Sequence, residues 1–394
     1  MNEISTGIDV GTHHVKVVIA EAPDDRRSLP RILGTGYAES RGLKRGYVVS
    51  VEDASRSIAA AVNQAAKAAR LKKIRRAIIA VGGEGLHELS SRAEVVVERG
   101  DNEVTARDIE RVREAGETSI PPAMLQNRRI IEKIPLHFTL DGSKFLGKNP
   151  VGAKAVRIGV ELLFIAAEKR HVSDLVEALG MAGIEVEDIA AAPLAASFVT
   201  LGKQQKRAGA ALLDIGAETS SLIVFDDDLP VSTLVLPWGS DDISGDIALA
   251  LKISLEEASQ LKMGAVIGGS FPQKKIDDAV EKRLAIIFRA VDTHLKKLGK
   301  DGLLPAGIIL TGGGSQLTAA PAVAQKILRL PARVASIAAT DAGRGQLKDG
   351  SWAVAYGLTV WGLNNRDDFD IGSSSGVFRE IFGTTWHFVK KFLP

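Results

Sequence analysis

Two aspartates, each closing an apolar run and each followed by a glycine turn, are the residues best placed to do chemistry. The first stands in Gly7-Ile-Asp-Val-Gly-Thr-His-His-Val-Lys-Val-Val-Ile19, the second in Ala211-Leu-Leu-Asp-Ile-Gly-Ala-Glu-Thr-Ser-Ser-Leu-Ile-Val-Phe225. Asp9 falls on Asp214, Gly11 on Gly216 and Thr12 on Ala217, 205 positions apart. A phosphate chain needs backbone N–H groups that can approach closely, and a glycine turn between strands supplies them. Gly11-Thr12-His13 and Gly216-Ala217-Glu218-Thr219 are two such turns, and a duplicated fold sets them face to face. Asp9 and Asp214 then point into one cleft, where two carboxylates repel unless a cation or its waters lie between them. Mg²⁺ carried by a nucleotide answers that need. Lys16, on the outgoing strand, reaches a β- or γ-phosphate as a point charge, and Gly312-Gly313-Gly314, after a strand, can lie flat against an adenine or ribose.

The elements around these residues repeat. Thr6–Val10, the alternating Val15–Ala20, Arg31–Ser40, a helix over about 53–70 and the apolar strand Ala77–Val81 give a β-β-β-α-β order. The second copy offers strands over 211–225, a strand at 231–236, helices near 241–252, 255–263 and 277–298, and a strand at 307–310 entering Thr311-Gly-Gly-Gly-Ser315. Two α/β halves around a central cleft follow from this duplication. Between them, about 83–159 fits neither copy. Its apolar alternation at 94–98 and 129–139 and a charged helix at 105–115 read as an inserted subdomain, since so long a structureless loop is uncommon.

The chain has 394 residues, 50 Lys+Arg against 48 Asp+Glu and no Cys. That is ordinary soluble composition, long enough for two to four domains. It excludes disulfides, thiolate metal sites and thiol nucleophiles. The near-zero net charge argues against nucleic-acid binding; the basic run Arg70-Leu-Lys-Lys-Ile-Arg-Arg76 reads as a solvated helix end. An acid where a signal peptide carries basic residues makes secretion an unfavoured reading. His13 and His14 are expected on opposite faces of a strand, unable to share one metal; His13 alone could donate to a phosphate.

Gly362–Gly376 is polar, Gly/Ser-rich and aperiodic, as a linker is. Val377–Pro394 then sets Phe378, Ile381, Phe382, Trp386, Val389, Phe392 and Leu393 at helical spacing, with Arg379, Glu380, Lys390 and Lys391 on the other face. With four charges it should lie in a membrane interface rather than cross it, burying Phe378, Trp386 and Phe388 among acyl chains and holding Lys390 and Lys391 near anionic headgroups.

Ile8-Asp-Val-Gly-Thr12, Leu213-Asp-Ile-Gly-Ala-Glu-Thr219 and Leu310-Thr-Gly-Gly-Gly-Ser315 resemble the two phosphate motifs and the adenosine motif of the actin/Hsp70/sugar-kinase ATPase superfamily. Ile189–Ser197 and Trp352–Gly357 resemble its two connecting helices. The insertion, the Gly239–Ala248 stretch and the tail resemble the bacterial division family FtsA. This resemblance implies an α/β actin-like fold with an inserted 1C (SHS2-type) subdomain. The parts are then IA (1–82 and 161–203), 1C (83–160), IIA (204–240 and 303–361), IIB (241–302), a linker (362–376) and a membrane-targeting helix (377–394). It also implies ATP and Mg²⁺ as cofactors, Gly245 and Lys262 beside the adenosine with Gly312–Ser315, and self-association into filaments. The implied site of action is the inner face of the cell membrane at the division site. There the family anchors the FtsZ ring by holding the FtsZ C-terminal peptide, and later divisome proteins are recruited through 1C. In the family that peptide meets the outer subdomain of the second half, here offering Lys282, Arg283, Arg289, Lys296 and Lys297. Two departures matter. Ser259 stands where relatives carry an acid ahead of Lys262, and Ala192-Pro193 stands where efficient hydrolysers place a water-orienting Glu or Gln, so ATP turnover is expected to be slow. A PilM-like adaptor of type IV pilus assembly is the alternative on the same fold, and a metabolic kinase the alternative from another class.

Overall fold

The computed structural model describes residues 3–23, 28–147, 149–264, 271–337, 347 and 349–366. The tail and most of the linker, with every membrane-facing residue proposed above, lie outside the described residues.

Each half is built on a five-stranded sheet. The first runs in the order Glu185–Ala191, Arg76–Val81, Ile4–Val10, His14–Glu21, Arg31–Glu39. The second runs Ala332–Val334, Ile308–Thr311, Ala210–Ile215, Ser220–Asp226, Leu229–Leu236. In both, the aspartate-bearing strand pairs antiparallel with its hairpin partner and parallel with the next strand inward. The registers match too: Asp9 lies opposite Lys16, and Asp214 opposite Ser221. The repeat seen in the sequence is therefore a repeat of topology. Parallel strands put their carboxyl ends on one edge, and there both aspartates sit.

Helix Val51–Ala68 begins where Ser50 caps the Asp53 N–H and buries Ile58, Ala61, Val62 and Ala65 on the first sheet. In the second half, Gln273–Lys297 buries Ile276, Val280, Leu284, Ile287, Phe288 and Val291 at 3–4 residue spacing.

The inserted segment is an antiparallel sheet ordered Leu86–Val96, Arg157–Glu168, Arg128–Leu140, Ser143–Lys144, with helix Ala106–Thr118 against it. The helix opens on a reciprocal cap in which the Thr105 hydroxyl and Asp108 carboxylate serve each other's backbone N–H. Strand Arg157–Glu168 explains why this segment is structured. Leu162, Phe164 and Ala166 belong to the insert's own core, while Leu163, Ile165 and Ala167 belong to the core of the first half. A strand covered on both faces reads as a continuous apolar run. The same strand carries the insert's sheet through Glu168, past the expected boundary at 160. Leu86–Val96 also starts earlier than the alternation at 94–98 indicates, because the polar Ser90-Ser91-Arg92 masks its period.

Helices Ala192–Thr200 and Ala353–Arg366 lead from one half to the other and cross at small residues. A Cβ on Gly357 would lie 1.8 Å from the Ala195 carbonyl oxygen, and one on Gly7 would lie 2.2 Å from that of Ala355. The backbones touch there because glycine lets them. Gly357→Ala is expected to lower stability by about 2–4 kcal/mol in urea unfolding, since backbone must move to admit the methyl. Gly180→Ala, on a helix with nothing within 4 Å, should be neutral or stabilising by at most about 1 kcal/mol. Equal effects would show that the crossing tolerates separation.

Candidate nucleotide cleft

A cavity of about 1110 Å³ opens between the halves. Asp9, Gly11, Thr12, His13 and Lys16 line it from the first half; Asp214, Gly216, Ala217, Thr219, Lys262 and Gly312–Gly314 line it from the second. The structure thus brings into one space residues up to about 300 positions apart in the chain.

The second turn is closed by the Gly216 N–H donating to the Thr219 carbonyl at 2.9 Å. The following helix, Ser240–Leu251, is tied to it by the Ser240 N–H on the Gly216 carbonyl and the Asp241 N–H on the Ala217 carbonyl, at 2.9 and 2.8 Å. This approach requires Gly239, where a Cβ would stand 2.2 Å from the Ala217 oxygen. The Gly46 N–H donates to Thr12 Oγ1 at 3.2 Å, fixing the first turn. The neighbouring Arg45 N–H donates to the Glu218 carboxylate. Two successive amides of one loop therefore hold both turns, one in each half. Glu218 spends its charge on that bridge and does not line the cavity.

Asp9 and Asp214 feel each other. Burial raises the pKa of both; the Asp9 charge adds to the rise at Asp214, Lys16 opposes it in each case, and Asp214 reaches about 6. Among the described residues no three His, Cys, Asp or Glu converge as metal ligands. A cation here would be held by this pair largely through water, with a ligand's own oxygens completing its shell. Gly312 is required beside the pair: its φ is +81°, and a Cβ would fall 2.1 Å from Asp214 Oδ1.

Toward the far end, Lys262 Nζ donates to the Ser240 carbonyl at 2.8 Å and stands 3.8 Å from Asp241. Burial lowers the Lys262 pKa and Asp241 raises it. Burial also lifts Asp241, which lies in the field of His13 from across the cleft. Ser259 faces the cavity.

Besides Glu218, two expected site residues sit elsewhere. Gly245 lies within helix Ser240–Leu251 and is not among the residues that line the cavity. Ser315 is fully buried with its hydroxyl on the Gly312 carbonyl at 2.7 Å, so it closes the glycine turn instead of meeting a ligand. The two histidines do not diverge: His13 belongs to the turn and His14 opens the strand, and their rings stack at 4.4 Å. Sequence reasoning missed Gly46, Gly82, Gly83 and His171, which line the cavity beside Ala192. Gly82-Gly83 after the apolar strand was the available signal, being the same strand-then-glycine pattern as the two turns; nothing marked His171.

Residues 211–357 match the family model of the cell division protein FtsA, and residues 85–166 match that of the SHS2 domain inserted in FtsA. The chain is 32% identical over 357 residues to the cell division protein FtsA of Bacillus subtilis, an alignment covering 85% of this chain and 79% of that one. The chain belongs to the FtsA family. Among solved structures, the PilM–PilN type IV pilus biogenesis complex is similar with a TM-score of 0.68 at 20% identity, covering 91% of this chain and 98% of that one. MreB5 of Spiroplasma citri bound to ADP is similar with a TM-score of 0.54 at 12% identity, covering 94% and 99%. This member of the family thus has the actin-like fold with the SHS2 insertion that the motifs implied.

Asp214→Asn tests the charge pair. A carboxyl raised from 3.8 to about 6 on folding binds its proton more tightly in the folded state, so stability falls as pH rises from about 4 to 6 and stays low above. Below pH 4 the protonated Asp and Asn are alike. The variant should therefore melt higher than wild type at pH 7.5, by at most about 3 kcal/mol, and the two should converge near pH 4. A variant less stable at pH 7.5 would show that the carboxylate is satisfied without a cation.

Proposed function

We propose that this FtsA-family chain binds Mg-ATP between its halves, polymerises on the inner face of the cytoplasmic membrane and anchors the FtsZ ring there. The observation that carries the nucleotide reading is the pair of matched glycine turns with their two aspartates facing one cavity. Asp9 and Asp214 hold Mg²⁺ through water; Gly11, Thr12, His13, Lys16 and the amides of Gly216–Thr219 take the phosphates; Lys262 and Gly312–Gly314 take the adenosine. The Mg²⁺ carried by ATP offsets the charge of the two facing carboxylates. Turnover is slow on this reading, because the first connecting helix presents Ala192 to the cavity rather than a water-orienting carboxylate or amide.

Membrane attachment rests on the amphipathic pattern of 377–394, and FtsZ anchoring on family membership. Among the described residues no helix is long and apolar enough to cross a membrane. For the FtsZ peptide, Lys282, Arg289 and Lys297 are exposed along helix Gln273–Lys297. Lys296 pairs with Asp292 at 2.6 Å. Arg283, expected to join them, is held instead by two 2.8 Å bonds to Asp246 and is removed from the set. Division-site localisation, filament formation and recruitment of later division proteins through the insert complete the reading.

Co-sedimentation with anionic vesicles is the direct test. The full chain should pellet and a chain ending at Ser375 should not, with Mg-ATP strengthening the first through assembly. Equal behaviour of the two would favour a PilM-like pilus adaptor, which the fold likeness also allows. Single-turnover hydrolysis should run well below the ~10 s⁻¹ of a typical enzyme. Reversing Lys282, Arg289 and Lys297 to Glu should weaken binding of an acidic FtsZ C-terminal peptide at least tenfold; unchanged affinity would move that contact elsewhere.

A further inference from the structure

The basic run at 70–76 is left unused by the cleft, and its place in the fold gives it a partner. It joins the end of helix Val51–Ala68 to the start of strand Arg76–Val81. Leu71 packs against the core and Ile74 is buried within it, so the loop is pinned at two points. Lys72 and Lys73 between those anchors and Arg70 and Arg75 on either side of them are exposed, and no carboxylate pairs with any of the four among the described residues. Arg76 alone is neutralised, by Glu187 at 3.2 Å. Arg70 holds a left-handed backbone, φ 59°, at a helix end where glycine or asparagine is the easier choice.

The register of the first sheet sets this loop beside the point where the described chain ends. Arg76 pairs with Glu185 across the parallel strands, and Ile78 with Gly7, so these strands begin at one edge, opposite the cleft. Helix Ala353–Arg366 crosses the same sheet toward that edge. Its Ala355 and Leu358 lie over Gly7, while Gly362 lies over Ser5 and Ile78. Arg366 is one helical turn further, about 6 Å at 1.5 Å per residue. The last described residue, Arg366, therefore lies toward the edge that displays these four cations, and the sequence with the amphipathic pattern follows it in the chain.

We propose that the loop Arg70–Arg75 is a second membrane contact, in which the folded body rests its four cations on anionic lipid headgroups beside the tail and so fixes which edge faces the bilayer. The proposal rests on the reading of 377–394 as a membrane-binding helix. Each cation near an anionic surface contributes roughly fivefold in affinity, and the contribution fades beyond a Debye length of about 8 Å. The tail supplies the proximity and the loop supplies the charge.

The test uses the full chain and vesicles of phosphatidylcholine with either none or 30 mol% phosphatidylglycerol. The variant Arg70→Asn, Lys72→Gln, Lys73→Gln, Arg75→Gln should melt like wild type, since Asn suits the left-handed position and the other three side chains are exposed, with the end of Lys73 near Gly183. It should bind the anionic vesicles at least tenfold more weakly and the neutral ones equally. Binding equal to wild type on anionic vesicles overturns the loop contact and leaves the tail reading intact. In a parallel arm, Phe378→Ser with Trp386→Ser should abolish binding to both vesicle types. Retention of wild-type binding there sinks the tail reading, and with it this proposal's premise, while the loop result is read separately. Because the chain has no Cys, a fluorophore on Lys73→Cys reports geometry directly. Headgroup-bound quencher should dim it and leave a label on Lys274→Cys, in the second half, bright; the reverse order refutes the orientation.

Discussion

The crossing of the two connecting helices is the contact on which the rest of the molecule depends. Gly357 lets the backbone of one helix touch the Ala195 carbonyl of the other, and everything that faces the cleft is placed by the segments running out of that crossing. One helix leads into strand Ala210–Ile215 and its aspartate. The other begins beside the glycine turn at 312–314, where Thr311 Oγ1 donates to the Gly350 carbonyl at 2.7 Å. A larger residue at the crossing would force the two helix backbones apart, since a Cβ on Gly357 would meet the Ala195 carbonyl at 1.8 Å.

The halves share apolar surface, Leu212, Ile223, Phe225 and Ile309 lying in one buried cluster with Leu194, Ala195 and Tyr356, and across the cleft they also share charge. The cleft sets two desolvated carboxylates against each other with one lysine between, and sets His13 against Asp241 at the far side. The loop amides of Arg45 and Gly46 join the turns through Glu218 and Thr12. Two carboxylates desolvated in one cleft carry an electrostatic cost there.

The inserted sheet is a structural partner of both halves. Its central strand lends one face to the first core. Its first strand places Glu88 against the second half, where the Ser232 hydroxyl donates to the carboxylate at 2.7 Å and lies 2.8 Å from His294 Nε2. The Thr233 N–H donates to the same carboxylate. Burial raises the Glu88 pKa and lowers that of His294. The insert is therefore keyed to the second half by polar contacts and to the first by apolar packing, so it is placed to feel their relative position.

The sequence by itself determined the duplication, the two aspartate turns, the glycine turn at 312–314 and the presence of an insertion, because each is a local pattern: alternating apolar residues, a strand ending in Asp-x-Gly, a change of period. It also carried the family resemblance in full. Only the tertiary structure decided which of those residues meet. Ser315 and Gly245 share motifs with cavity-lining residues, yet a hydroxyl's direction and a helix's rotation are set by packing that no motif records. Arg283 and Lys282 are adjacent basic residues, but one is consumed by Asp246, a partner 37 positions away. The basic run at 70–76 is exposed at a helix end, as its composition indicates; the sheet edge it shares with a helix almost 300 residues later comes from the fold alone.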